Sequence, residues 1–87
     1  MKKGKTSSGF EYEIDEQSLD DMRILDMVVE VAEGDLTKLS PIVSKVLGDQ
    51  KEKLYKHLED EYGRVSIEKV SNEITEIFSQ SGAGKNS

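Results

Sequence analysis

The chain predicts an all-α domain, a small bundle of about four helices with short turns, preceded by an extended, strand-patterned N-terminal segment. Three observations carry this reading. From Met22 onward, apolar residues recur at spacings of three and four, the period of a helix with one buried face. Gly34, Gly48 and Gly63 follow these runs, where a residue that closes a helix takes positive φ. Only Phe10-Glu11-Tyr12-Glu13-Ile14 alternates apolar and acidic residues with the period of a strand. Eighty-seven residues suffice for one small core. With no cysteine, that core must hold by packing, with or without the help of oligomerisation.

Taken in order, residues 1–9 (MKKGKTSSG) read as a flexible, basic, solubilising tail, residues 10–80 as a single helical domain and residues 81–87 as a second flexible tail. The tail's lysines have one alternative use, which is to meet the acidic half of another copy. The segment from Phe10 to Ile14 has no evident partner strand in the chain. It either lies extended over the helices, burying Phe10, Tyr12 and Ile14, or pairs with the same segment of a neighbour.

Asp15 or Ser18 can cap the first helix, which runs to about Glu33. Its main stripe is Met22, Leu25, Val28, Val29 and Ala32, flanked by Ile24, Met27 and Val31, with Arg23, Asp26, Glu30 and Glu33 opposite. The apolar arc is wider than one partner helix needs. Either two or three other helices cover it, or Met27 and Val31 belong to a protein-binding surface, where methionine adapts to varied shapes. A connector follows, with Leu36 and Leu39 tucked into the core. Ser40-Pro41 then supplies an N-cap and a proline at the first helical position. The second helix turns Ile42, Val43, Val46 and Leu47 inward and stops at Gly48. Asp49 and Glu52 make a capping box for the third, which presents Leu54, Leu58 and Tyr62. Gly63 ends that helix and Ser66 caps the fourth, with Val65 and Val70 as a hydrophobic staple. The fourth buries Ile67, Val70, Ile74, Ile77 and Phe78.

Composition narrows the chemistry. Net charge is −6, and between Phe10 and Asp35 a single Arg23 stands among ten carboxylates, so that half repels nucleic acid and anionic lipid. No apolar run approaches membrane-spanning length and no signal-peptide core follows Met1-Lys2-Lys3, which makes the cytoplasm the expected location. Around Gly63 the acidic residues and the serine suggest a calcium loop. Placing Gly63 at the sixth loop position, however, puts Leu58 first and Lys69 twelfth, where a bidentate carboxylate is required. His57 is the only histidine, so a transition-metal site would be almost all carboxylate. Gly82-Ala83-Gly84-Lys85 lacks the spacing of a phosphate loop. The residues predict no catalytic site, no metal and no cofactor. They describe a small acidic helical interaction domain.

The order SGFEYEID, LDD at a helix head, EGD, a short helix ending VLG, and DEYGRV followed by EKVSNEITEIF resembles the tail assembly chaperones of siphophages and prophages of Gram-positive bacteria. The likeness runs from about Ser8 to Phe78 and rests on patterns of small and apolar residues rather than a catalytic signature. It implies a non-enzymatic protein of the host bacterial cytoplasm, absent from the mature virion. Such a protein binds the tape measure protein during tail assembly, recruits the tail tube protein and self-associates as a homo-oligomer. On this reading Phe10, Tyr12, Ile14, Ile24, Met27 and Val31 contact the tape measure or a neighbouring copy. The family often uses a minus-one frameshift near the gene's end, and Gly84-Lys85-Asn86 can be encoded with a slippery run of adenines. The alternatives are an adaptor or antitoxin-like protein that sequesters a protein partner and, more weakly, a helix-turn-helix, whose second helix carries Glu68, Glu73 and Glu76 against a phosphate-lined groove.

Overall fold

A computed structural model describes residues 1–81. It is mostly helical, with a two-stranded N-terminal sheet packed on the helices. Strands β1 (Lys2–Lys5) and β2 (Glu11–Ile14) precede helices α1 (Glu16–Leu19), α2 (Met22–Ala32), α3 (Leu39–Leu47), α4 (Lys51–Leu58) and α5 (Ile67–Ser81). Single 3-10 turns at Leu36–Lys38 and Gly48–Gln50 lead into α3 and α4.

The first correction concerns the N-terminus. Residues 1–9 are not a tail, because Lys2–Lys5 pairs antiparallel with Glu11–Ile14 in a hairpin within one chain. No apolar residue in KKGK signals a strand, and other forces make it one. Lys3 stands opposite Glu13 and Lys5 opposite Glu11, so the basic strand meets its charge complement across the ladder. Gly4 stands opposite Tyr12, whose ring end occupies the space that a Cβ would take. Lys2 reaches the Gln80 carbonyl (3.2 Å) and Glu16 (3.5 Å). The lysines thus meet the acidic half of their own chain.

Two glutamines cover the hairpin's edges. Gln50 donates to the Glu13 carbonyl (2.6 Å) and accepts from the Glu13 N–H (2.8 Å), as a neighbouring strand would. Gln80 donates to the Lys5 carbonyl (3.1 Å).

The expected first helix is two helices. Asp15 caps α1 by accepting from the Gln17 N–H, and Asp21 caps α2 by accepting from the Arg23 N–H at 2.8 Å. An aspartate that can bond its own backbone two residues on offers the chain an alternative to continuous helix, and here it restarts one. The restart also rotates α2. Ile24, Val28 and Val31 are buried, whereas Met22 (65% exposed) and Val29 (45%) face outward. The stop at Gly34 is as expected, with φ at 105° and Asp35 N–H donating to the Glu30 carbonyl at 2.8 Å, a Schellman closure.

Three further expectations change. Helix α3 begins at Leu39 with no side-chain cap, so Ser40 and Pro41 lie inside its first turn, where the missing N–H still costs no bond. Asp49 and Glu52 form no capping box, because the Gly48–Gln50 turn runs directly into α4. Helix α4 ends at Leu58, not at Gly63. Glu59 then bridges Val65, and the Asp60 carboxylate accepts from the N–H groups of Tyr62 (2.8 Å) and Arg64 (2.9 Å). Gly63 takes φ 77° inside this loop, and Tyr62 is left exposed. Ser66 caps α5 as expected, accepting from the Lys69 N–H at 3.2 Å.

One core unites the elements: Phe10, Tyr12 and Ile14 from β2 and its approach, Ile42, Val43, Val46 and Leu47 from α3, Leu54 from α4, and Val70, Ile74, Ile77 and Phe78 from α5. Ser81, expected in the C-terminal tail, is buried at the end of α5 and donates to the Phe78 carbonyl at 2.6 Å. The rest of that tail and the frameshift reading at Gly84–Ser87 lie outside the described residues. Gly4→Ala should destabilise the fold by about 1–3 kcal/mol, since its methyl group would overlap the end of the Tyr12 ring, which is buried and bonded to Gln80, and would displace it. Urea unfolding of the two proteins measures this.

Candidate functional site

The six residues expected to contact a partner do not form a surface. Phe10, Tyr12, Ile14, Ile24 and Val31 are buried in the core, and Met27 is half-buried against it. The physical reason is the hairpin. It gives the alternating segment of β2 a partner strand and lays it on α3 and α5, while the wide apolar arc of α2 is covered by α3, α5 and the Leu36–Lys38 turn, the first of the two readings the arc allowed. A charged residue at Val31 would therefore unfold the domain rather than disable a docking face.

A polar cluster lies at the hairpin tip. Thr6 N–H donates to the Phe10 carbonyl and Gly9 N–H to the Thr6 carbonyl, both at 2.9 Å, with Gly9 at φ 94° closing the turn. This places the Thr6 and Ser8 hydroxyls over α5, where both donate to Oε1 of Glu73 at 2.8 and 2.7 Å. Glu73 is only 4% exposed. Ser7 gives both its N–H (2.6 Å) and its hydroxyl (2.8 Å) to the carboxylate of Glu76. His57 Nε2 lies 3.2 Å from the Ser8 hydroxyl and 3.1 Å from the Ser8 carbonyl, with its ring against Phe10.

Serine, histidine and glutamate in contact invite comparison with a nucleophile relay. In such a relay the carboxylate orients the histidine and the histidine takes the serine proton. Here the carboxylate takes the serine hydroxyl itself, at a shorter distance than the imidazole, and the same imidazole nitrogen also meets the Ser8 carbonyl. The arrangement latches a loop. Nothing in the sequence pairs Thr6 and Ser8 with a glutamate 65 or more positions away. Among the described residues, no three histidine or acidic side chains gather as metal ligands, and no helix is long and apolar enough to cross a membrane.

The remaining candidate is an apolar groove of about 350 Å³ between the start of α3, the middle of α4 and the start of α5. Leu39 and Val70 form its floor, Tyr55 and Val65 its half-buried sides, and Leu36 (51% exposed) and Ile67 (58%) its open lips. Both lips had been expected in the core. Local structure holds them out. The Asp35 carboxylate accepts from the hydroxyl and the N–H of Thr37, fixing the turn that carries Leu36. Those bonds, the hydroxyl's first, hold the Asp35 carboxyl below its usual range. The Asp60 loop ends at Val65, and the Ser66 cap sets Ile67 at the exposed head of α5. At the rim, Lys51 Nζ donates to the Ser40 (2.9 Å) and Ser44 (3.0 Å) hydroxyls and lies 5.8 Å from the Tyr55 ring centre. Comparisons with family models, curated proteins and solved structures find no match to this chain.

Two predictions test the latch and the hairpin. Glu73→Ala removes the acceptor of two hydroxyl bonds, one buried and one partly buried, and should cost about 2 kcal/mol, with amide exchange at Gly9 and Phe10 accelerating before that of Ile42 and Leu54. Burial, and then the carboxylate of Glu76, push the Tyr12 phenol above its ordinary 10.0. A raised folded-state value means that the fold favours the protonated phenol. This stabilisation is complete below about pH 10 and is lost as pH rises through the folded-state value. Tyr12→Phe, which forfeits the 2.6 Å bond to Gln80, should show a smaller loss of melting temperature between pH 9 and pH 11 than the parent (roughly the range around a tyrosine's ordinary titration).

Proposed function

We propose that the chain is a non-enzymatic, protein-binding assembly factor, a tail assembly chaperone that holds the tape measure protein in the host cytoplasm and recruits tail tube subunits. The resemblance of SGFEYEID and EKVSNEITEIF to that family, with the linking motifs between them, supplies the identity of the client. The observation that carries the binding role is the apolar groove with its exposed lips, Leu36 and Ile67. A cleft with an apolar floor and open apolar lips suits the apolar face of an amphipathic helix. Tape measure proteins are long and helical, so they offer such faces repeatedly.

This reading moves the client from the residues singled out by periodicity to a different part of the molecule. Helix α2 and the hairpin then serve as scaffold, and the heads of α3 and α5 serve as the contact. Exposed apolar side chains cost little to replace in the free protein, which separates binding from folding in a test. Leu36→Lys with Ile67→Lys should reduce co-purification with the co-expressed tape measure protein at least about tenfold while the circular dichroism spectrum and melting temperature stay near the parent's. Undiminished co-purification would rule the groove out as the client site.

A further inference from the structure

Each copy carries two separate surfaces that complement one another. The outward face of α2 is the stripe Met22, Asp26, Val29 and Glu33, all exposed and spaced by four, three and four residues. It lies directly opposite the buried Ile24, Val28 and Val31, and its side chains are exposed among the described residues. It reads apolar, acid, apolar, acid. The groove reads the converse, an apolar floor with a cation at its rim. Lys51 is held in place by two neutral hydroxyls and the Tyr55 ring, and among the described residues it makes no ion pair. Arg64, beside Val65 in the chain, stacks on Tyr62 with its centre 5.1 Å from the ring and likewise makes none.

We propose that, in the absence of a client, the groove of one copy is occupied by the outward stripe of α2 from a second copy. Met22 and Val29 enter between Leu36 and Ile67, and Asp26 meets Lys51. Groove and stripe share no residue, so every copy offers one of each and the contact repeats from copy to copy. The inference rests on the groove being a protein-docking surface, and it adds a regulation. A client helix and a neighbouring copy compete for the same cleft, so client binding releases the self-contact. The interface is small and its charged part is screened by salt, so the association is weak and strongest at low ionic strength.

Charge exchange tests this without disturbing the fold. Lys51→Glu places an acid in the first turn of α4, where the helix end favours it, and Asp26→Lys lies on an exposed face. Sedimentation velocity of the full chain over a concentration series at low salt should show mass rising with concentration. Each single variant should weaken this at least about tenfold, because an attraction becomes a repulsion. Mixing the two variants in equal amounts, or combining both changes in one chain, should restore it. A parent that stays monomeric throughout, single variants that associate as the parent does, or a mixture that recovers nothing would each overturn the proposal. Tape measure capture is read separately. If capture proves independent of the groove while charge exchange behaves as stated, the client reading falls and the self-contact stands.

Discussion

The carboxylate of Glu73 is the constraint on which the rest of the structure depends. It is a carboxyl group only 4% exposed that makes no ion pair among the described residues and accepts from two hydroxyls of the hairpin tip at 2.8 and 2.7 Å. Withdrawing a carboxylate from water is costly, and without those donors α5 could not keep Glu73 where it is. The dependence is mutual. Strand β1 has no apolar side chain to bury, so its place rests on the ladder to β2, the ring of Tyr12 over Gly4, and polar ties to α5 and α1. Once the tip is latched, β2 drives Phe10, Tyr12 and Ile14 into the core and closes the side that α2 alone could not cover.

Closure on that side decides where the molecule stays open. The hairpin covers one region of the helices, whereas among the described residues the junction of α3, α4 and α5 has only the Asp60 loop and the Asp35 turn beside it. Both are held by short-range side-chain bonds to backbone N–H groups, which set direction without adding apolar cover. Leu36 and Ile67 are therefore presented rather than buried. Under the proposed function, a surface defined by caps and turns would let a long partner bind and leave without opening the core.

Much of the fold was legible in the sequence. Gly34 and Gly48 end helices with positive φ, Ser66 caps α5, and Ile42, Val43, Val46, Leu47, Val70, Ile74, Ile77 and Phe78 are buried as their spacing predicts. Glycine and a capping serine act through local geometry, so a single sequence reports them well. Strand β1 was illegible because nothing local makes it a strand. Its determinants are Glu11, Glu13, Tyr12 and α5. The rotation of α2 was ambiguous because Met22 and Val29 are as apolar as Ile24 and Val31, and the choice between them is made by packing on α3 and α5. The candidate site was missed for the same reason. Leu36 and Ile67 have the composition of core residues, and only the turns that carry them show which way they point.

The most direct test is a residue-resolved map of contact: amide chemical shifts of the full chain, recorded with and without the tape measure protein. Docking in the groove predicts that changes gather at Leu36, Leu39, Tyr55, Val65, Ile67 and Val70 while Phe10–Ile14 and the tip at Thr6–Gly9 keep their positions. Changes centred on Phe10, Tyr12, Ile14, Ile24 and Val31, with loss of the hairpin signals, would contradict it, because the client would then be entering the core in place of the hairpin.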